Sequence, residues 1–270
     1  MDRMEQLQFL NRTLLAEMPE YAPQAAQIPG EERAQRRLLR SLMNLRPPKP
    51  LDPGFLAVQD ALLSAEREAR GVVDGERLPV LARDPRLVLW QGDITRLKAD
   101  AIVNAANSAL LGCFHPCHGC IDNAIHSAAG LQLREACFQL MQAQGRPEPN
   151  GRAKLTGGYN LPARHVLHTV GPIVRGRVTQ RDREELASCY RACLELAAEH
   201  HLRSVAFCCI STGEFHFPNR EAAQLAVAAV TEFLQQTTSI QKVIFNVFKD
   251  ADAAIYRALL GPDRSAETGA

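Results

Sequence analysis

The chain has 270 residues, 46% of them apolar, and its 31 lysines and arginines against 30 aspartates and glutamates leave a formal charge of +1. Such a length buries one substantial core plus a smaller appendage, and the near-neutral balance excludes the positive field that carries nonspecific nucleic-acid binding. No run approaches the ~18 apolar residues that span a membrane, and the polar, helix-patterned start is not expected to act as a secretory leader.

Residues 1–80 are expected to form a helical extension packed on a main domain. Leu7, Leu10, Leu14 and Leu15 share one helical face, and residues 31–45 set Leu38, Leu39, Leu42 and Met43 among many arginines. A third helix is predicted over 53–69, where Phe55, Val58, Leu62 and Leu63 recur at helical spacing. Asp52 stands where it can cap that helix, with Pro53 at the first position. Arg46-Pro47-Pro48-Lys49-Pro50 is a stiff break between helices. The arginines of the second helix read as a solvated face, with partner docking as the alternative.

The main domain is expected over 81–262. Strands are predicted at 87–91, 101–105, 165–170, 205–210 and 242–248, with a further strand and turn within 154–161. Helices are predicted over 121–142, 181–201, 219–235 and 252–260. This alternation implies a three-layer α/β/α sandwich around a mixed, mostly parallel sheet, which binds ligands at the carboxyl ends of its strands. His168 lies in an apolar run and reads as a core histidine. Cys189 and Cys193 share one helix face and read as small core residues. Cys208 and Cys209 are neighbours in a strand and would face opposite ways, so a reducing cytoplasm fits better than a disulfide framework. Residues 263–270 read as a frayed tail.

Chemistry concentrates between strand 101–105 and the helix starting at 121. Cys113, His115, Cys117, His118 and Cys120 fall within eight residues, interrupted by Pro116 and Gly119. Thiolate and imidazole donors together suit zinc. Cys113, His118 and Cys120 supply three donors from one tight loop. A fourth from Cys117 or His115 would make the site structural, whereas an open position would make it catalytic. Ordinary reduced cysteines without a metal are the remaining reading. The amino end of the following helix, from Ile121, offers amides to a phosphate. The loop Ser211-Thr212-Gly213-Glu214-Phe215 can bring further amides close to a diphosphate. Asp122 suits the first turn of a helix whatever else it does, and His126 shares its face, either as a partner or as a core residue.

Several segments together carry a resemblance. Gly92-Asp93-Ile94-Thr95, Asn104-Ala105-Ala106-Asn107, 155–162 (LTGGYNLP), 168–172 (HTVGP) and 210–215 (ISTGEF) stand in the order and spacing of the macrodomain family of ADP-ribose binders and hydrolases. The chain departs from the usual hydrolytic pattern at one place. Where those macrodomains carry glycines before the catalytic aspartate, Cys117-His118-Gly119-Cys120-Ile121-Asp122 stands here. That segment resembles the zinc-containing macrodomains of bacteria and fungi. The resemblance implies one Zn2+ per chain held by Cys113, His118 and Cys120, with Cys117 and His115 outside the set. It implies adenine contacts from Asp93 and Ile94, and distal-ribose contacts from Asn104 and Asn107. Asp122 would be the base, or would orient the attacking water. Phe248, at the end of the last predicted strand, is the candidate to stack on adenine, with a core role as the alternative.

The activity so implied is release of mono-ADP-ribose from protein Asp or Glu side chains. The resemblance further implies a cytoplasmic setting and, as substrate, a lipoate-carrier protein modified by a sirtuin-type transferase. A non-catalytic ADP-ribose reader with a structural zinc is the rival class. A nucleic-acid-binding zinc finger lacks the paired ligand spacing and the basic stripe.

Overall fold

The computed structural model describes residues 1–236 and 239–264. Four helices come first: α1 (Arg3–Glu17), the short α2 (Ala22–Ala25), α3 (Glu32–Leu45) and α4 (Pro53–Arg70). Asp2 closes a capping box on α1, and Asp52 accepts from the Phe55 amide to start α4. Leu7, Leu10, Leu14, Leu39, Leu42 and Leu62 are all but fully buried in a core of their own. Each contributes about 1.5–3 kcal/mol by leaving water.

A six-stranded sheet follows, built from β2 (Leu87–Gln91), β4 (Ala101–Ala105), β5 (Ala153–Gly157), β6 (His165–Thr169), β7 (Ser204–Phe207) and β8 (Lys242–Val247). Its order is β2-β8-β7-β4-β6-β5. Every neighbour is parallel except β5, which runs antiparallel to β6. Val88, Ile102, Val103, Val166, Leu167, Val243 and Ile244 have no exposed surface, as a parallel sheet covered on both faces requires. Helices α7 (Gln180–Glu199), α8 (Asn219–Gln236) and α9 (Asp250–Leu260) pack in series as one covering layer; α5 (Ile121–Ala129) and α6 (Leu131–Gln144) form the other, against β4 and β5. The mixed, mostly parallel α/β sandwich expected from the sequence is therefore the observed fold. Two short parallel strands, β1 (Val73–Asp74) and β3 (Leu97–Lys98), were not foreseen.

Three expectations need correction. The single helix predicted over 121–142 is two, because Gly130 at φ +97° breaks it. A Cβ there would meet Gln59 Nε2 at 2.7 Å and Gln132 Oε1 at 2.6 Å. Gln59, fully buried on α4, accepts from the Leu131 amide and caps α6 from the extension. The strand predicted to Ile210 ends at Phe207, since the chain turns through Ser211 at φ +64°. Within the expected tail, Asp263 pairs with Leu81 and the Arg264 amide donates to Val80, while residues 265–270 lie outside those described. No helix among the described residues is long and apolar enough to cross a membrane.

Candidate active site and metal centre

Strand β4 ends at Asn104 and Ala105, and the loop after it carries the Cys/His cluster to the start of α5. Asn104, fully buried, donates from Nδ2 to Asp122 Oδ1 at 2.8 Å. Asn107 Nδ2 reaches Asp122 Oδ2 at 3.3 Å and the Gly112 carbonyl at 3.0 Å. Both asparagines thus converge on one carboxylate in the first turn of α5. Burial pushes Asp122 up to about 6, against the Asn104 hydrogen bond and the Arg134 charge, which lower it. Gly112 sits at φ +80°, and a Cβ there would lie 2.9 Å from the His126 ring, so the loop can pass this close only with glycine.

Two histidines lie behind the carboxylate. His126 Nε2 is 3.5 Å from Asp122 Oδ1, and neither ring nitrogen makes a hydrogen bond. His168 Nδ1 faces Asn104 Nδ2 at 3.2 Å, and its Nε2 faces Thr156 Oγ1 at 2.9 Å. An amide NH2 only donates, so Nδ1 is the acceptor and Nε2 carries the proton. Burial lowers His168 to about 3, and it lowers His126 well below the usual imidazole range, helped by His168 and Arg134. Both rings are neutral props. His126, Cys137 and His168 bring donor atoms within 4.8 Å of one another, but all three are buried and His168 is committed to Asn104 and Thr156.

Cys113, His118 and Cys120, each half-buried, bring two sulfurs and a ring nitrogen within 4.8 Å of one another. Cys113 Sγ lies 3.6 Å from His118 Nδ1. Cys120 is the N-cap of α5, accepting from the Asn123 amide at 3.4 Å, where the helix dipole favours a thiolate. Burial, with Cys113 close by, pushes the Cys120 thiol up to about 12. A soft divalent cation reverses that balance, because it neutralises both sulfurs at once. Two thiolates, one imidazole and partial exposure fit zinc. Cys117 turns away toward α3, with Sγ 3.3 Å from Ser41 Oγ. His115 stacks edge-on against His118, and its carbonyl accepts from Asn123. Glu214 Oε1 approaches His118 Nε2 at 3.6 Å, drawing the 211–215 loop to the metal loop.

The expected nucleotide contacts line the strand ends. Asp93 accepts from the Thr95 amide and hydroxyl at 2.9 and 2.7 Å, leaving its other oxygen beside Arg70 at 3.4 Å. The Ile94 side chain is buried in the core, so only its backbone can face a ligand. Phe248 is 74% exposed at the end of β8, which pairs with β2 up to Gln91. The β2 end is therefore beside it, carrying Asp93. Ser211 is buried with its hydroxyl unpartnered. The amides of Thr212, Gly213, Glu214 and Phe215 donate to no acceptor among the described residues, an arrangement that receives anions. Ile121 is half-buried at the start of α5. A cavity of about 730 Å3 between α3, α4 and α5 is lined by Arg37, Arg40, Arg70, Asp93 and Cys117 among others. Asp93 is its single expected ligand contact, so it lies beside the expected nucleotide contacts rather than among them. Sequence reasoning missed Arg40, Asn44 and Arg134, because each acts through a contact distant in sequence, and Asn123, whose bonds to the carbonyls of Cys113 and His115 follow from the loop's fold rather than from any spacing rule.

This sheet, with its asparagine-held carboxylate and the unpaired amides of its 211–215 loop, defines a class. The family model described as Macro domain matches residues 103–226, and the chain belongs to that family. A protein of Treponema medium named protein-ADP-ribose hydrolase is 49% identical over 96% of this chain and 100% of its own length. A protein of the same name from Staphylococcus aureus (strain MSSA476) is 50% identical, covering 84% of this chain and 85% of that protein. The crystal structure of a Trypanosoma brucei macrodomain in complex with ADP-ribose is 32% identical with a TM-score of 0.65, covering 82% of this chain and 95% of that one.

Proposed function

We propose that the protein is a zinc-dependent hydrolase that removes mono-ADP-ribose from modified protein side chains, with an Asp or Glu ester as the bond cleaved. The observation that carries this reading is the juxtaposition at the start of α5. Three soft donors, Cys113, His118 and Cys120, lie within 4.8 Å of one another, two residues before a buried carboxylate held by Asn104 and Asn107. Relatives named protein-ADP-ribose hydrolase, 49% and 50% identical, support the activity. The main domain so assigned spans 81–262, behind a helical extension over 1–80.

In this reading Phe248 and Asp93 hold the adenine, and the 211–215 amides and the start of α5 at Ile121 hold the diphosphate. Asn104 and Asn107 then place the distal ribose hydroxyls against Asp122. Cys113, His118 and Cys120 would hold a zinc ion, which would supply Lewis-acid polarisation beside Asp122. Asp122, pushed up to about 6 by burial, is poised to take a proton near neutral pH, and its two asparagine donors fix its direction. Hydrolysis frees ADP-ribose and restores the side-chain carboxylate. The family resemblance points to a lipoate-carrier protein modified by a sirtuin-type transferase as substrate, in the cytoplasm.

The test is metal analysis of the purified protein alongside release of ADP-ribose from a target modified on acidic residues, before and after chelation. The expected result is about one zinc per chain and turnover lost on chelation, with ADP-ribose affinity largely kept. A protein that binds ADP-ribose but releases none when zinc-loaded is a reader, and full turnover without metal removes the zinc from the mechanism.

A further inference from the structure

The helical extension reaches the metal loop through a short chain of hydrogen bonds. Arg40 on α3 donates from Nε and Nη2 to Asn123 Oδ1, at 3.2 and 2.7 Å, and from Nη2 to the His118 carbonyl at 3.1 Å. Asn123, fully buried on α5, donates from its side chain to the carbonyls of His115 at 2.9 Å and Cys113 at 3.5 Å, and from its amide to Cys120 Sγ at 3.4 Å. Each of the three soft donors is therefore bonded, by carbonyl or sulfur, to Arg40 or to the asparagine that Arg40 holds.

A second tether runs in parallel. Asn44, 1% exposed on α3, accepts from the Cys117 amide at 2.9 Å and donates to Ser127 Oγ at 3.0 Å. Cys117 stands at φ +54°, a conformation that a side-chain-bearing residue keeps only when its surroundings impose it. That left-handed residue lies directly before His118, so its conformation decides where the imidazole points. The helix that supplies Arg40 and Asn44 belongs to the extension's own core through Leu38, Leu39 and Leu42. Its position is thus set largely by the extension's core, with Leu131 and Arg134 of α6 also touching that layer.

We propose that α3 is a working part of the metal centre: Arg40 and Asn44 are positioning residues that hold the ligand loop in its metal-binding shape. This rests on the zinc reading given above. Docking of the extension and binding of zinc then stabilise each other, since any coupling between two equilibria acts equally in both directions. Partners of metal ligands typically change metal affinity by about 10–100-fold.

The test uses the full chain loaded with zinc, competed against a chromophoric chelator, with Arg40→Met, Arg40→Lys and Asn44→Ala. Arg40→Met and Asn44→Ala are expected to lose about 10–100-fold in zinc affinity, with ADP-ribose affinity within about threefold of the parent. Arg40→Lys keeps the charge but not the fork, and should fall between. In the parent chain, chelation should speed amide exchange across α3 but not across α8. An Arg40→Met protein with unchanged zinc affinity and a lower Tm overturns the proposal, because the network is then only an adhesive between two cores. Should Arg40→Met fail to fold, Arg40→Lys and the exchange of the parent decide, and unchanged affinity with unchanged α3 exchange overturns it. A parent chain with no zinc sinks the metal reading itself, a result distinct from zinc bound equally well with and without Arg40.

Discussion

Asn104 and Asp122 meet at 2.8 Å with both side chains buried, joining the end of a central strand to the first turn of a helix. A carboxylate in such a place is costly unless donors receive it, and two asparagine amides do so. Asp122→Ala should therefore retain the metal and lower kcat by about 10²–10⁴-fold, the range for a positioned acid–base group. Asn104→Ala should lower kcat too, with less change in ADP-ribose affinity. Single-turnover kinetics beside metal analysis checks both, and an unchanged rate in Asp122→Ala would reduce the aspartate to a helix-terminus acid.

Cys113→Ala and Cys120→Ser each remove one of the two sulfurs. Both should abolish stoichiometric zinc and turnover together, while Cys117→Ser, whose sulfur points to Ser41, should keep both. Zinc content and ADP-ribose release of the three proteins, measured side by side, separate the assignments.

Phe248 is 74% exposed and contributes little to the core. Phe248→Ala should leave Tm within about a degree and weaken ADP-ribose binding by about 1–3 kcal/mol, the worth of one base on an aromatic ring. Calorimetry reads the loss directly. Equal affinity in the variant would move adenine elsewhere.

Gly130→Ala tests the helix break. At φ +97°, with Gln59 and Gln132 in the path of a Cβ, alanine should destabilise the fold by about 1–3 kcal/mol, seen as a lower denaturation midpoint. A midpoint equal to the parent would show that the junction with α4 yields easily.

His168 should contribute to an acid limb of stability, together with His126, which burial also lowers. Its folded pKa, lowered to about 3 by burial, lies below the unfolded value near 6.5. The unfolded chain therefore binds the extra proton first, and stability falls as pH drops from about 6.5 toward 3, by up to about 1.4 kcal/mol per unit. Asp122, raised to about 6, acts with the opposite sign over part of that window, so a variant comparison isolates the imidazole. His168→Gln, which can still accept from Asn104 and donate to Thr156, should flatten the decline of Tm between pH 6.5 and 4. An identical slope in both proteins would mean that another group sets the limb.

What the sequence alone determined is what local rules govern. Apolar runs at 87–91 and 101–105 became strands, β4 buried along nearly its whole length and β2 at Leu87 and Val88, and Asp52 before Pro53 started α4 as capping chemistry dictates. The gathering of Cys113, His118 and Cys120 was legible too, since a short loop broken by Pro116 and Gly119 folds back on itself rather than running extended. Tertiary structure decided the rest. The break at Gly130 depends on Gln59, some seventy residues earlier in the chain, and the Cys117–His118 turn of the Cys/His loop depends on Asn44 and Arg40 across a similar distance. No spacing rule reports such contacts, because their geometry exists only after two separate hydrophobic cores have packed against each other.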